Sequence, residues 1–383
     1  FVILWYAIHL RRQAAIHGFR GVAGLMSASY GSRAAGYLCF VGVFIFLVPY
    51  VAIQIRGIAI LLNATYPDTL PTWGWALSIM ATLLIYSEIG GLKAIIYSDA
   101  MQAVILLIAT WVIAYGCVTQ FGGITELVSR VHHAQPALLS VPGPKGLFTF
   151  QFMLASLVAI LVLPITQPQL AQRIVIMKSL RHARHMAVAV GIFSMLVILP
   201  TAAIGLSGAL THADTAVAEF LADVLLREQA PYIAAAVAVG LVAAAMSTAD
   251  SQLFALGGEL RSLLNGDEVH VMRVTRLAII GFALAAFAFA TVSSDQLVLL
   301  ARVSFAGTAM LAPLIIVGVI TRSPRGPLLL IATGSALILF LASLIGIVPS
   351  TITGMRLALL LFAGLALCAV VQCFITSARL QAD

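Results

Sequence analysis

The chain is 383 residues long, 62% hydrophobic and 9% charged, with a net charge of +7. Soluble domains run nearer about 45–50% apolar and about 25% charged, so this composition excludes one and points to a chain that crosses the bilayer many times. The positive excess is not a nucleic-acid footprint, because the bases gather in alternate short loops, as they do on the inner side of membrane proteins.

At about 20 residues per crossing, the hydrophobic runs predict a partial first span, Phe1 to Leu10, and complete spans near 34–62, 74–88, 99–119, 148–170, 186–209, 231–260, 274–292, 296–320, 326–347 and 355–376. Loops on one side carry Arg11, Arg12, Arg20, Arg33, Lys93, Arg173, Lys178, Arg181, Arg184, Arg261, Arg273, Arg276, Arg322, Arg325 and Arg379. The opposite loops hold Asp68, Glu126, Asp214, Glu219, Asp223, Glu228 and Asp295. The basic side is expected to be cytoplasmic, with the C-terminus inside and a bacterial inner membrane as the location. Phe1 opens the chain within an apolar run, without the charged start of a signal peptide, which implies at least one preceding helix. Cys39, Cys117, Cys368 and Cys373 lack metal-ligand spacing and read as core residues.

The 148–170 span contains Pro164 and Pro168, four residues apart, so at least two ladder hydrogen bonds are lost in mid-membrane. Either neighbouring helices satisfy a kink, or the helix is broken. Broken helices at the midplane are where many secondary transporters bind their solute, which makes Ile160, Pro164, Ile165, Thr166 and Gln167 candidate contacts.

The segment Ala243 to Leu253 reads AAAMSTADSQL and places hydroxyls and a carboxylate inside a span. An acid there costs about 2.5–3.5 kcal/mol and defaults to an ion or solute pathway. On a helix Ala244, Ser247 and Thr248 stand at i, i+3 and i+4, so a carbonyl and two hydroxyls share a face, a donor set that suits Na⁺. Alternatively, the hydroxyls bond back to carbonyls one turn earlier. Two intramembrane arginines, Arg56 and Arg302, lie about 9 Å from the outer ends of their spans. They either snorkel or form an electropositive outer vestibule for a carboxylate.

The run YSEIGGLKAIIYSDAMQ, from Tyr86 to Gln102, resembles the GG-L-(K/R)-A-x-x-x-(T/S)-D-x-x-Q signature of the sodium:solute symporter family. The Ala243–Leu253 segment is similar to that family's sodium-site motif, and Gln167-Pro168 followed by Gln172-Arg173 resembles its sixth core helix and the loop beyond. The resemblance implies an all-α polytopic fold with two inverted five-helix repeats of the leucine-transporter type and extra C-terminal helices. On that mapping one transporter domain fills 1–383: core helices two to five in 1–119, six to ten in 148–320, and two additional helices in 326–376. The first core helix is expected to be missing, and these residues alone are not expected to transport.

What the resemblance implies for function is a sodium-coupled symporter that imports a small organic solute by alternating access. Ala244, Ser247 and Thr248 would hold the coupling Na⁺. A second Na⁺, where the family has one, would fall to Asp99, Asp250 and Ser251. Two close carboxylates repel unless a cation lies between them or one is protonated. Asp99 could instead pair with Lys93, and Asp250 could be solvated near its helix end. The family's proline carriers are similar to a Trp and Tyr pair where Ile160 and Pro164 stand here, which argues against proline or sugar. The partners expected are Na⁺, the solute and the lipid bilayer. A solute sensor built on the same fold is the alternative, whereas no enzyme motif is present.

Overall fold

The computed structural model describes residues 2–144, 146–213, 215, 217–293, 297–321 and 326–382, with 86–95, 217–218 and 378–382 described by backbone alone. Of the loop charges named above, Asp214, Asp295, Arg322 and Arg325 lie outside the described residues, as do the side chains of Lys93 and Arg379.

Helix α1 runs Val2–His17, past the end expected at Leu10. Two arginines do not stop it, because Arg11 reaches the carbonyls that end α7 (Pro168–Ile176), donating to Ile174 and Val175 at 3.2 Å and also to Met177. A cation at the negative end of a helix is favourable. Gly18, at φ 72, then turns the chain. The next element, α2 (Val22–Ser29), has no counterpart among the expected spans. Its N-terminus receives the Glu259 carboxylate, which accepts from the Val22 and Ala23 amides at 2.9 and 2.6 Å. A helix start supplies two orphan N–H groups, so the buried acid is satisfied without a cation.

The long α3 (Arg33–Thr65) threads the core, burying Cys39, Val43, Phe46, Leu47 and Ile55. Spans expected at 74–88 and 99–119 form one helical element, α4 (Thr72–Gln120). Straight, its 49 residues would reach about 73 Å. Yet Thr72 follows α3 by six residues, and Leu61 near the α3 end shares a buried cluster with Ile113, Ala114 and Cys117 near the far end of α4. Both ends therefore lie near the end of α3, and α4 makes two passes, 72–85 and 96–120.

After the amphipathic α5 (Ile124–Ala134), the chain continues through α6 (Phe150–Thr166) and α7, which meet at 49°. Then come α8 (Leu180–Thr211), α9 (Val217–Ala222), α10 (Pro231–Leu263) and α11 (Glu268–Val292). The span expected at 296–320 is divided into α12 (Leu297–Ala309) and α13 (Ala312–Ile320), with Pro313 in the first turn of α13, where a missing N–H is harmless. A small antiparallel hairpin, β1 (Thr351–Ile352) and β2 (Met355–Arg356), joins α14 (Leu328–Leu344) to α15 (Leu357–Ala382).

Among the described residues, seven helices are long and apolar enough to cross a membrane, and the bent α6–α7 pair makes an eighth. Exposed Ile85, Tyr115, Leu157, Ile192 and Ile338 form the kind of apolar surface that lipid covers. The tightest helix contact joins α12 to α3. A Cβ on Gly307 would stand 2.1 Å from the Phe46 ring, and Ser304 Oγ donates to the Phe46 carbonyl at 2.5 Å. Gly307→Ala is expected to destabilise the protein by about 1–3 kcal/mol through overpacking, read as a lower thermal midpoint in detergent.

Candidate ion and solute site

Three elements converge where α7, α10 and the second pass of α4 meet. Arg173 Nη2 donates to Asp99 Oδ2 and to Ser251 Oγ, the latter at 2.8 Å. Ser247 Oγ donates to Asp99 Oδ1, and Ser251 Oγ stands 3.4 Å from Asp99 Oδ2. Helical spacing explains the grouping, because Ser247 and Ser251 are one turn apart on α10. The guanidinium therefore holds the carboxylate and hydroxyl that a second Na⁺ would need. Asp99 has a cationic partner, and it comes from α7.

The three oxygens expected together on α10 divide into two groups. Thr248 Oγ1 bonds back to the Ala244 carbonyl at 3.2 Å, whereas Ser247 turns toward Asp99. The former is the back bond that helical threonines ordinarily make, as Thr65, Thr201 and Thr211 do to Leu61, Val197 and Ser207, and it is the alternative read from the sequence for Thr248. Ser247, one residue before Thr248, belongs to the Asp99 cluster. Asp250 is not solvated. It is 1% exposed, and its Oδ1 has no hydrogen-bond partner among the described residues.

The helix break falls at Gln167, the residue between α6 and α7, with Pro168 opening α7. Pro164 stays inside α6. Beside the break, the amides of Gln252 and Gln169 both donate to Gln167 Oε1, at 3.1 and 3.2 Å. This leaves the Gln167 Nε2 and the Oε1 atoms of Gln169 and Gln252 buried without partners. One donor and two acceptors thus face a break where such groups rarely go unpaired. Thr166 and Ile165 are buried there too. Ile160 and Pro164 are not brought into this group. They sit on another side of α6, with Ile160 61% exposed, because helical periodicity turns them toward the face of Leu157 and Leu161.

The two outer arginines also separate. Arg56 donates to the Ala290 carbonyl in the last turn of α11, so its charge serves a helix end, which is a different use from an open vestibule. Arg302 lies over the Phe152 ring, its Cζ 4.4 Å from the centroid.

The sequence profile of the sodium:solute symporter family matches residues 2–323. The chain belongs to the sodium:solute symporter family. The family and the relatives below are transporters and not enzymes. Its similar relatives include the sodium/pantothenate symporter of Haemophilus influenzae, 26% identical over 176 residues, which cover 45% of this chain and 36% of that one. The sodium/pantothenate symporter of Escherichia coli is 26% identical over 252 residues, 65% of this chain and 50% of that one. The human sodium/iodide cotransporter is 29% identical over 103 residues, 26% of this chain and 16% of that one. The matched region thus spans between a third and a half of the pantothenate symporters' length. Among solved structures, a Na⁺-coupled sialic acid symporter in a substrate-bound outward-open state superposes with a TM-score of 0.71, covering 99% of this chain and 83% of that one at 16% identity. The fold is accordingly the all-α leucine-transporter type.

Three residues of this symporter-family chain were not among the candidates read from its sequence. Arg173 was counted with the cytoplasmic bases, although its place at the end of the Gln172-Arg173 pair, just past a broken helix, was a signal. Gln252 lies one turn beyond Thr248, and a glutamine in so apolar a span needs a partner. Arg356 follows an apolar loop and carries no motif.

Proposed function

We propose that the protein imports a small organic anion together with one Na⁺ by alternating access. The observation that carries this reading is the proximity, along one helix, of the Ala244 carbonyl and Thr248 hydroxyl and of Gln252, whose amide joins the break at Gln167. Ser247 would complete the ion site by rotating away from Asp99. The unpaired amide groups of Gln167, Gln169 and Gln252 would meet polar groups of the solute, with Thr166 and Ile165 beside them. One transporter domain, with core helices in 1–119 and 148–320 and additional helices in 326–376, would rock about this site. The C-terminus would be cytoplasmic, in a bacterial inner membrane.

An anionic solute is supported by Arg302 at the outer side and by the relatives, whose named solutes, pantothenate, iodide and sialic acid, are all anions. A single coupling ion is supported by Arg173, which already neutralises Asp99. Each charge moved inward gains about 2.3 kcal/mol per 100 mV, which would sustain roughly a fifty-fold gradient of a neutral solute. A monoanion carried with one Na⁺ moves no net charge, so only the sodium concentration ratio would drive it. The test is uptake of labelled carboxylates, amino acids and sugars by the full-length protein in proteoliposomes under an inward sodium gradient. Sodium-dependent accumulation of at least one carboxylate, with no response of its accumulation ratio to membrane potential, is expected. Uptake indifferent to sodium sinks the reading.

A further inference from the structure

We infer that Arg302 and Arg356, whose guanidiniums both lie against the Phe152 ring, form an outer binding site for the carboxylate of the incoming solute. This rests on the anionic-solute reading above. Arg302 Cζ is 4.4 Å and Arg356 Cζ 5.7 Å from the centroid of that one ring. The two distances put the guanidiniums no more than about 10 Å apart, and an anion that reached both would offset the repulsion of two like charges held there. Among the described residues, neither guanidinium forms an ion pair with a carboxylate.

The scaffold that holds Arg356 is visible. Both ends of the Gln151 amide clamp the hairpin, Nε2 donating to the Gly354 carbonyl at 2.7 Å and Oε1 accepting from the Arg356 N–H at 3.0 Å. The turn between the strands puts Thr353 at φ 50, a left-handed conformation that is strained for a β-branched residue. Such strain persists only where the surroundings over-determine it, and it clusters at functional sites. What the strained turn delivers here is Arg356, beside Phe152 and across from Arg302.

The position of the pair decides which anion it serves. Phe152, Ala159 and Thr166 repeat at seven-residue intervals on one buried face of α6, while Leu154, Leu157 and Leu161 lie exposed on the other. The arginines therefore stand over the protein-facing stripe that descends about 21 Å to the break at Gln167, and not over the lipid-facing side. A lipid phosphate would approach from the lipid-facing side. Two planar guanidiniums offer paired N–H donors that match a carboxylate, and the ring beside them supplies an apolar wall.

The test is equilibrium binding of pantothenate and of acetate to the protein in phosphatidylcholine nanodiscs, without a sodium gradient. Arg356→Gln and Arg302→Gln are each expected to weaken pantothenate binding about five- to tenfold, and the double variant to weaken it further than either, with the alcohol analogue of pantothenate unaffected throughout. Arg356 lies in the hairpin, so its variant keeps the test open if Arg302→Gln fails to fold. Unchanged affinity in Arg356→Gln overturns the site, as does the absence of saturable binding of both probes to wild type. Displacement of pantothenate by phosphatidylglycerol in the nanodisc assigns the pair to a lipid headgroup and also overturns it. If binding follows the arginines while uptake ignores sodium, the symport reading fails and the site stands.

Discussion

Replacing Ser247 and Thr248 together by alanine is expected to raise the sodium concentration for half-maximal uptake at least tenfold. The proposed site draws on the hydroxyls of both residues, so losing two of about five ligands should cost more than about 1.4 kcal/mol, which is that factor. The single variants should differ, because the two hydroxyls have different partners. Thr248 stands 3.2 Å from the Ala244 carbonyl and would lose a ligand directly. Ser247 is turned to Asp99, so Ser247→Ala removes a ligand and also leaves Asp99 Oδ1 without that donor. Thr248→Ser, which keeps the oxygen, should retain near wild-type sodium affinity. A well-expressed double variant whose sodium dependence is unchanged would sink the site.

Much of the fold was legible because apolar length and proline chemistry dominate it. The spans at 34–62, 186–209 and 231–260 have counterparts in α3, α8 and α10 within a few residues. The break near Gln167 follows from Pro168, which has no N–H to continue a ladder. What stayed hidden was direction. Hydropathy marks Ile160 and Pro164 as members of a broken span, but only the phase of the helix tells which of its faces meets solvent or lipid. Charge counting fails in the same way at Arg173, since an arginine in a loop and one folded back against Asp99 are equally basic. Arg56 lies at the depth where a vestibule was expected, yet its use is set by the end of α11, some two hundred residues further along. Asp250 shows the converse. Its closeness to Asp99 was expected to require a cation between the two acids or a proton, and the cation beside Asp99 comes from a third helix. Lys93, the partner considered from the sequence, has its side chain outside the described residues.

Arg173→Gln is expected to change the ion stoichiometry itself. In the wild type the guanidinium is bonded to both Asp99 and Ser251, so a second sodium would have to displace a tethered charge whose local concentration never falls. Removing that charge leaves a carboxylate and two hydroxyls unmatched, and a partly buried acid without a partner either takes up a proton or recruits a cation. With sodium abundant outside, the recruited cation is Na⁺. The sodium Hill coefficient should therefore rise from near one toward two in Arg173→Gln, and coupled movement should become electrogenic for a monoanionic solute. Arg173→Lys, which keeps a charge on a shorter stem, should remain near one. Asp99→Asn should also leave the wild-type ratio of one sodium per solute unchanged, because the acid then serves Arg173 and not an ion. The measurement is the ratio of labelled sodium to labelled solute taken up by proteoliposomes, for wild type and the three variants. A wild-type ratio of two that drops to one in Asp99→Asn would mean that Arg173 yields its place to sodium during the cycle, and the tethered-cation reading would be lost.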